Sequence, residues 1–150
     1  MSERLAEIDP ETPHIQVNAT LFGKKVLLVD DDMRNVFALG ALLEEHGMEV
    51  YTAGDGREAL QIVLEDNGLE IILMDIMMPE MDGYEAIRQI RAMQQYKNLP
   101  VIALTAKAMV GDDKKCIEAG ASDYISKPFV NKNLLAQIEY WIDKVPEARL

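Results

Sequence analysis

The sequence predicts one α/β domain built on a doubly wound, all-parallel sheet. From about Lys24 onward, short apolar runs alternate with stretches in which apolar residues recur at helical spacing, and this order repeats five times. The clearest runs are apolar on both faces, which is typical of strands buried between two layers of helices. The length of 150 residues and the hydrophobic content of 49% suit a single core. We therefore expect one sheet with helices on both faces.

The expected strands are short and are bounded by turn residues such as Gly54-Asp55-Gly56 and Pro79 to Gly83. They are Val26–Val29, Glu49–Ala53, Ile71–Met74, Val101–Leu104 and Asp123–Ser126.

The helices are predicted from the spacing of apolar residues and from boundary residues such as Gly47, Gly120 and Pro146. The apolar positions of the first are Met33, Val36, Phe37, Leu39, Leu42 and Leu43. In the second, Arg57 to Glu65, we expect Leu60, Val63 and Leu64 to face the core. The others carry Tyr84, Ile87 and Ile90, cover Asp112 to Ala119, and run from Leu134 to Val145.

Polar side chains stand at the carboxyl ends of four of the five strands. Asp30 and Asp31 follow the first strand and Asp75 ends the third, while Thr105 closes the fourth and Lys127 follows the fifth. Because parallel strands bring their carboxyl ends to one edge of the sheet, we expect these groups to converge. Three carboxylates that close repel one another, which implies a hard divalent cation. Mg²⁺ suits the site because it takes oxygen ligands and shares its coordination shell with phosphate oxygens.

The formal charges of this predicted site favour phosphoryl chemistry. Three carboxylates, one ammonium and one divalent cation sum to zero, and a phosphoryl group would then bring about −1.5 to −2. Lys127 and the Thr105 hydroxyl would stabilise the charge of that group. Asp75 stands alone at a central strand end and is the expected nucleophile, whereas the pair Asp30 and Asp31 suits the metal.

At these residues the sequence resembles the receiver domain of two-component response regulators, from roughly Lys24 to Lys144. The matching segments are Val29 to Asp31, Met74 to Gly83, Leu104 to Ala106, and Lys127-Pro128-Phe129. The resemblance implies a flavodoxin-like sheet of order 2-1-3-4-5 and a cis peptide between Lys127 and Pro128. It also implies Asp75 as phosphoacceptor, Lys127 as partner of the phosphoryl group, and a magnesium site with Mn²⁺ as an alternative ion. The implied metal ligands are Asp30, Asp31, Asp75 and the backbone carbonyl of Met77.

The same resemblance implies a switch and a phosphoryl donor. Thr105 would turn inward to the phosphoryl oxygens. Tyr124 would move from exposed to buried as the fourth helix, fifth strand and fifth helix rearrange. The implied donor is a histidine kinase or a histidine phosphotransfer domain, and the implied assembly is a monomer or weak dimer. As an isolated domain, the protein is expected to catalyse only its own phosphorylation and dephosphorylation.

Two origins remain open. The segments Leu21 to Asn35 and Leu43 to Val50 look like receivers at the C-terminal end of hybrid sensor histidine kinases, but a stand-alone single-domain regulator also fits. We expect residues 1–22 to be a flexible tail or linker, residues 23–145 to be the receiver and residues 146–150 to be a C-terminal tail.

Composition excludes several partners. The 15 basic and 26 acidic residues give a formal net charge of −11, which argues against binding to nucleic acid or to an anionic membrane. Cys116 is the only cysteine, so there can be no intrachain disulfide, and a reducing cytoplasmic setting fits best. Charges interrupt every apolar run, so no membrane span is expected.

Rival functions can be weighed on the same residues. A docking module that keeps the fold without phosphorylation stays open. A metal-dependent aspartyl-phosphate phosphatase is disfavoured, because Met77 stands two residues after Asp75, where a second aspartate would act as acid. Gly54 to Ala59 fits a G-x-G-x-x-A dinucleotide pattern, but that pattern belongs on the first strand of a longer fold.

Overall fold

Five strands and five helices alternate along the chain in the computed structural model, which describes residues 19–65, 68–76, 78, 83–106 and 112–144. The strands are β1 (Lys25–Val29), β2 (Glu49–Ala53), β3 (Ile71–Asp75), β4 (Val101–Ala106) and β5 (Asp123–Lys127). The helices are α1 (Met33–Glu45), α2 (Gly56–Leu64), α3 (Gly83–Ala92), α4 (Asp112–Ala119) and α5 (Asn131–Lys144), and a 3-10 turn covers Gln94–Tyr96.

All five strands are parallel and form one sheet in the order β2-β1-β3-β4-β5. This confirms the expected fold class and the strand order that the resemblance implied. β2 and α4 have the predicted bounds. β4 and β5 run past theirs, because the polar residues Thr105 and Lys127 continue the ladder between these two strands. Thr105 and Lys127 therefore lie on strands, as Asp75 does at the end of β3.

Two apolar cores lie on opposite faces of the sheet, because successive strand residues point to opposite sides. On one face Leu27, Val29, Ile72 and Met74 pack with buried residues of α2, α3 and α4. On the other face Val26, Leu28, Ile71 and Leu73 pack with buried residues of α1 and α5. The central strands are thus apolar on both sides, as the sequence predicted.

Three residues from the predicted apolar stripes are exposed. The expectation that Leu64 faces the core is wrong, because the α2 positions that turn inward are Ala59 and Val63. Met33 and Phe37 share the spacing of the α1 stripe but lie outside its buried arc, which Val36, Leu39 and Leu43 occupy. An apolar edge of α1 is therefore left in contact with solvent.

The packed structure begins before β1. Leu21 is fully buried in the core that α1 and α5 cover, although it falls within the predicted tail, residues 1–22. The Gly23 amide donates to the Gly47 carbonyl at 2.8 Å, and the Lys24 amide donates to the Leu21 carbonyl at 3.0 Å. Residues 1–18 and 145–150, where the rest of the predicted tails fall, lie outside the described residues.

None of the described helices combines the length and the apolar character that crossing a membrane would require.

Candidate functional site

The strand register places the predicted site residues at one edge of the sheet. Val29 pairs with Met74, so Asp30 follows β1 beside Asp75 at the end of β3. Asp75 in turn pairs with Leu104, and Thr105 is the next residue of β4. Lys127 pairs with Ala106 at the end of β5. Residues far apart in sequence meet here because the crossovers return every strand in the same direction.

Three carboxylates form the centre of this edge. Asp30, Asp31 and Asp75 each offer one oxygen, and these oxygens all lie within 4.8 Å of one another. Asp30 and Asp75 are almost completely buried, with 1% and 5% of each residue exposed, while Asp31 is exposed. Like charges that share a site repel, and burial increases the cost because it removes the screening by water. The cluster therefore needs positive charge.

Lys127 supplies part of that charge. Its Nζ atom lies 3.4 Å from Asp30 Oδ2 and 3.6 Å from Asp75 Oδ1, so one ammonium lies between two buried carboxylates. The Lys127–Pro128 peptide bond is cis, as the resemblance implied. Three carboxylates and one ammonium leave a formal charge of about −2 at a centre that offers only oxygen ligands to a metal. Such a donor set fits a hard divalent cation such as Mg²⁺.

Two local hydrogen bonds fix the orientation of Asp30. The backbone amide of Asp32 donates to Asp30 Oδ1 at 2.9 Å, and Asn35 Nδ2 donates to Asp30 Oδ2 at 3.2 Å. Asn35 was not among the residues that we predicted for the site. Its position in the first turn of α1, directly after the acidic residues, is the signal that could have identified it. These bonds limit the rotation of a carboxylate that would otherwise turn away from its charged neighbours.

Asp32 has a different role from the two acidic residues before it. Its carboxylate caps α1 by accepting from the Arg34 amide at 3.0 Å, and the Arg34 guanidinium donates to the same carboxylate. The side-chain hydrogen bond from Arg34, with smaller help from its amide, lowers the pKa of Asp32 below the ordinary value. Three consecutive aspartates therefore divide between the carboxylate cluster and a helix cap.

Thr105 reaches the same edge, but its hydroxyl is directed to β5. The side chain is 3% exposed, and its Oγ1 atom lies 3.2 Å from Ser126 Oγ, at hydrogen-bonding distance. Tyr124, two residues earlier on β5, is 37% exposed, and its carbonyl accepts from Gln137 Nε2 of α5 at 3.0 Å. Sequence reasoning missed Ser126, because a serine before the lysine carries no signal until the register pairs it with Thr105.

Gly83 is a third residue whose importance the sequence did not reveal. A turn role was expected, but Gly83 begins α3 and packs directly against the end of β3. A Cβ atom at this position would clash with the Asp75 carbonyl oxygen and would lie 2.8 Å from Ile76 Cα. Only glycine lets the helix approach the acidic edge this closely. The predicted metal ligand at Met77 lies outside the described residues.

Comparisons with known proteins identify related sequences and structures. A family model described as the response regulator receiver domain matches residues 26–139. Histidine kinase 3 of Arabidopsis thaliana is 31% identical over 146 residues, which cover 84% of this chain and 14% of that protein. The chain thus spans only about a seventh of the length of this kinase.

Two solved structures are similar in fold and sequence. The receiver domain of a sensor histidine kinase from Pseudomonas aeruginosa PAO1, with magnesium coordinated in its active-site cleft, is 39% identical, with a TM-score of 0.74, over 81% of this chain and 98% of that one. The receiver domain of the response regulator Ssk1 of Saccharomyces cerevisiae, solved with the histidine phosphotransfer protein Ypd1, belongs to a structure that is 30% identical, with a TM-score of 0.73, over 81% of this chain and 90% of that one.

Proposed function

Because this chain belongs to the response regulator receiver domain family of two-component signalling, we propose that it accepts a phosphoryl group from a phosphohistidine onto Asp75. The observation that carries this proposal is the meeting of Asp75 with Asp30, Asp31 and Lys127 at one edge of the sheet. Asp75 is the acceptor because it is the member of the cluster that ends the central strand β3.

The transfer exchanges one bond to phosphorus for another. A carboxylate oxygen of Asp75 attacks the phosphorus atom, the phosphorus–nitrogen bond to the donor imidazole breaks, and the nitrogen keeps the electron pair. The product is an acyl phosphate on Asp75. Later attack of water on phosphorus breaks the bond to Asp75 and releases inorganic phosphate, which regenerates the carboxylate. The domain thus catalyses its own phosphorylation and dephosphorylation.

Lys127 assists by pairing with the charge that the phosphoryl group brings. Its ammonium already lies 3.6 Å from Asp75 Oδ1, so a small movement places it against a phosphoryl oxygen. Breaking its contact with Asp30, at 3.4 Å, frees a donor for the new group. An ammonium keeps three donors and can hold both carboxylate and phosphoryl oxygens.

Asp30 and Asp31, together with Asp75, would hold Mg²⁺, with Mn²⁺ as an alternative ion. A divalent cation at this position supplies charge neutralisation for the carboxylates and for the phosphoryl oxygens. Support comes from the all-oxygen cluster of this chain and from the magnesium in the related Pseudomonas aeruginosa receiver. The hydrogen bonds that Asp30 accepts from Asn35 and from the Asp32 amide keep its oxygens in place before any ion arrives.

The donor protein is proposed to cover the exposed apolar side chains beside the acidic edge. Met33 and Phe37 project from α1, which begins immediately after the acidic residues, and Val130 follows Lys127 by three residues. When a phosphohistidine reaches Asp75, the surface of the donor protein around it must lie against this acidic edge. A histidine kinase or a histidine phosphotransfer domain would bury these side chains on docking.

Phosphorylation is proposed to change the face formed by α4, β5 and α5. Thr105 would turn to donate to a phosphoryl oxygen, and Tyr124 would move from its partly exposed position toward the space near Thr105. The new acceptor oxygens stabilise one arrangement of this face over the other, which is a shift of population.

Labelling with acetyl phosphate and Mg²⁺ tests the chemistry. Intact-protein mass spectrometry should detect one added phosphoryl group on the wild type and none on Asp75→Ala. Asp143→Asn, which removes an exposed carboxylate from α5, is the matched control and should be labelled like the wild type. The phosphoacceptor proposal is abandoned if the wild type gains no mass, or if Asp75→Ala is labelled equally well. A docking module that works without phosphorylation then becomes the better hypothesis.

A second experiment separates docking from chemistry. Phe37 is 72% exposed, so Phe37→Ser should slow transfer from a phosphorylated histidine phosphotransfer protein while labelling by acetyl phosphate is unchanged. Leu64→Ser is the control, because Leu64 is an apolar residue on α2 with a similar exposure of 63%. Equal slowing by both substitutions would show that the α1 edge has no special part in docking.

We also propose that the chain is the receiver of a hybrid histidine kinase, because the kinase that it matches contains a region similar to most of this chain. An antibody against this domain should then detect a native protein far larger than 16.9 kDa. A native band near that mass would favour the single-domain regulator.

A further inference from the structure

The hydroxyls of Thr105 and Ser126 form a pair between β4 and β5. Thr105 Oγ1 and Ser126 Oγ are 3.2 Å apart, and the register places the two residues directly opposite each other in the parallel ladder. Side chains of directly paired residues point to the same side of a sheet, so this contact follows from the backbone.

The two partners depend on this bond to different degrees. Thr105 is 3% exposed, and within the described part of the chain the Ser126 hydroxyl is the one hydrogen-bond partner that its side chain has. A buried hydroxyl without a partner is costly. Ser126 is exposed, so its hydroxyl can exchange Thr105 for water at little cost.

The order of the strands gives the bond a direction. β4 lies between β3, which carries Asp75, and β5, which carries Ser126. A Thr105 hydroxyl directed at Ser126 is therefore directed to the side opposite Asp75. To donate to a phosphoryl group on Asp75, the hydroxyl must leave Ser126 and turn across β4.

We propose that Ser126 is a positioning residue that holds the Thr105 hydroxyl away from the acceptor until a phosphoryl group competes for it. This inference rests on the proposed function, in which Thr105 contacts a phosphoryl group on Asp75. At neutral pH the phosphoryl oxygens act chiefly as acceptors, so Thr105 is the donor in the new bond. Ser126 thus opposes the switch, and its hydroxyl on β5 sets how readily the Thr105 side chain turns toward Asp75.

Binding of beryllofluoride with Mg²⁺, a mimic of the phosphoryl group, tests the inference by calorimetric titration. Ser126→Ala removes the competing partner and should bind beryllofluoride about twofold to tenfold more tightly than the wild type, the range that one neutral hydrogen bond supplies. Ser126→Thr keeps the hydroxyl and should restore wild-type affinity. Thr52→Val deletes an exposed hydroxyl from β2, the opposite edge strand, and should leave the affinity unchanged.

A double-mutant cycle gives a readout that a purely structural role would not produce. In a Thr105→Val background the Ser126→Ala change should no longer tighten binding, because its effect acts through the Thr105 hydroxyl. If Ser126→Ala folds poorly, Ser126→Cys, which is close in shape and only a weak hydrogen-bonding partner, should show the same tightening.

The possible outcomes distinguish failure of the inference about Ser126 from failure of the proposed function. If the wild type binds beryllofluoride but Ser126→Ala binds equally or more weakly, Ser126 does not oppose the switch and the inference is overturned. The same conclusion holds if the tightening persists in the Thr105→Val background. If the wild type itself fails to bind beryllofluoride in the presence of Mg²⁺, the proposed function fails first.

Discussion

Arg91 provides the sharpest test of how the strands that carry the site are held. Its guanidinium donates to the Gly120 carbonyl at 2.7 Å, to the Tyr96 carbonyl at 2.8 Å and to Ser122 Oγ at 3.2 Å. One side chain thus connects the end of α3 to the segment that leads into β5. Burial lowers the pKa of Arg91 below its ordinary value, but the group remains charged at neutral pH.

Arg91→Met keeps the aliphatic stem, which packs against Gly120, and removes the three donors. A hydrogen bond to a charged group contributes about 1.5–3 kcal/mol, and three bonds from one partly exposed fork do not add in full. We therefore expect the free energy of unfolding to fall by about 2–4 kcal/mol. For a domain of this size that corresponds to roughly 5–15 °C in the unfolding temperature.

Urea denaturation followed by circular dichroism measures the change, with a constant m-value as evidence that the unfolded state is unaffected. Arg88→Met is the matched control, because Arg88 lies on the same helix but pairs with Glu85 on an exposed surface. Its midpoint should stay close to that of the wild type. If Arg91→Met unfolds no more easily than Arg88→Met, the three-way contact does not hold β5 and the reasoning is refuted.

Three further predictions concern the approach to the site, the domain boundary and the pH response. Gly83→Ala should lower stability by about 1–3 kcal/mol and weaken beryllofluoride binding, because the new methyl group meets the backbone near Ile76; wild-type values in both titrations would contradict this. Leu21→Ala should lower the free energy of unfolding, measured by urea denaturation, by about 2–5 kcal/mol. A decrease well under ~1 kcal/mol would instead favour a folded domain that begins at residue 23. Arg34 lowers the pKa of Asp32 in the folded state, so the stabilisation from this pair is present above the unfolded pKa and is lost as the pH falls below about 4. Asp32→Asn should therefore lose less stability between neutral and acid pH than the wild type, measured as the shift of the urea midpoint.

The fold could be predicted because local pattern and global topology agree. Runs such as Val26–Val29 are apolar on both faces, and only a strand between two helical layers buries both. The prediction that Leu64 faces the core was wrong because helical spacing alone does not determine how wide the buried side of a helix is. The three-dimensional arrangement of α2 and α3 decides that width, and no local signal contains it.

The site could be predicted to the level of its charged residues and no further. Asp75 and Lys127 are conspicuous because each is polar at the end of a strand, and the topology then brings them within 3.6 Å. Ser126 and Asn35 act through a register and a helix turn, so their roles depend on distances that the sequence does not contain. Gly83 is recognised only when a backbone atom is found where its Cβ would be.

In the proposed function, the charge of the site would explain how a small chemical change can switch it. A phosphoryl group brings about −1.5 to −2, but Asp75 loses its own negative charge when it forms the acyl phosphate, so the site gains only about one negative charge or less. What changes most is where the acceptor oxygens stand. The three carboxylates and Lys127 are fixed within a few ångströms before transfer, whereas the new oxygens extend beyond Asp75. If the proposed function holds, the groups that respond to phosphorylation are those that can turn to follow these oxygens, the Lys127 ammonium and the Thr105 hydroxyl. The contacts that hold these two groups beforehand would then set how readily they turn.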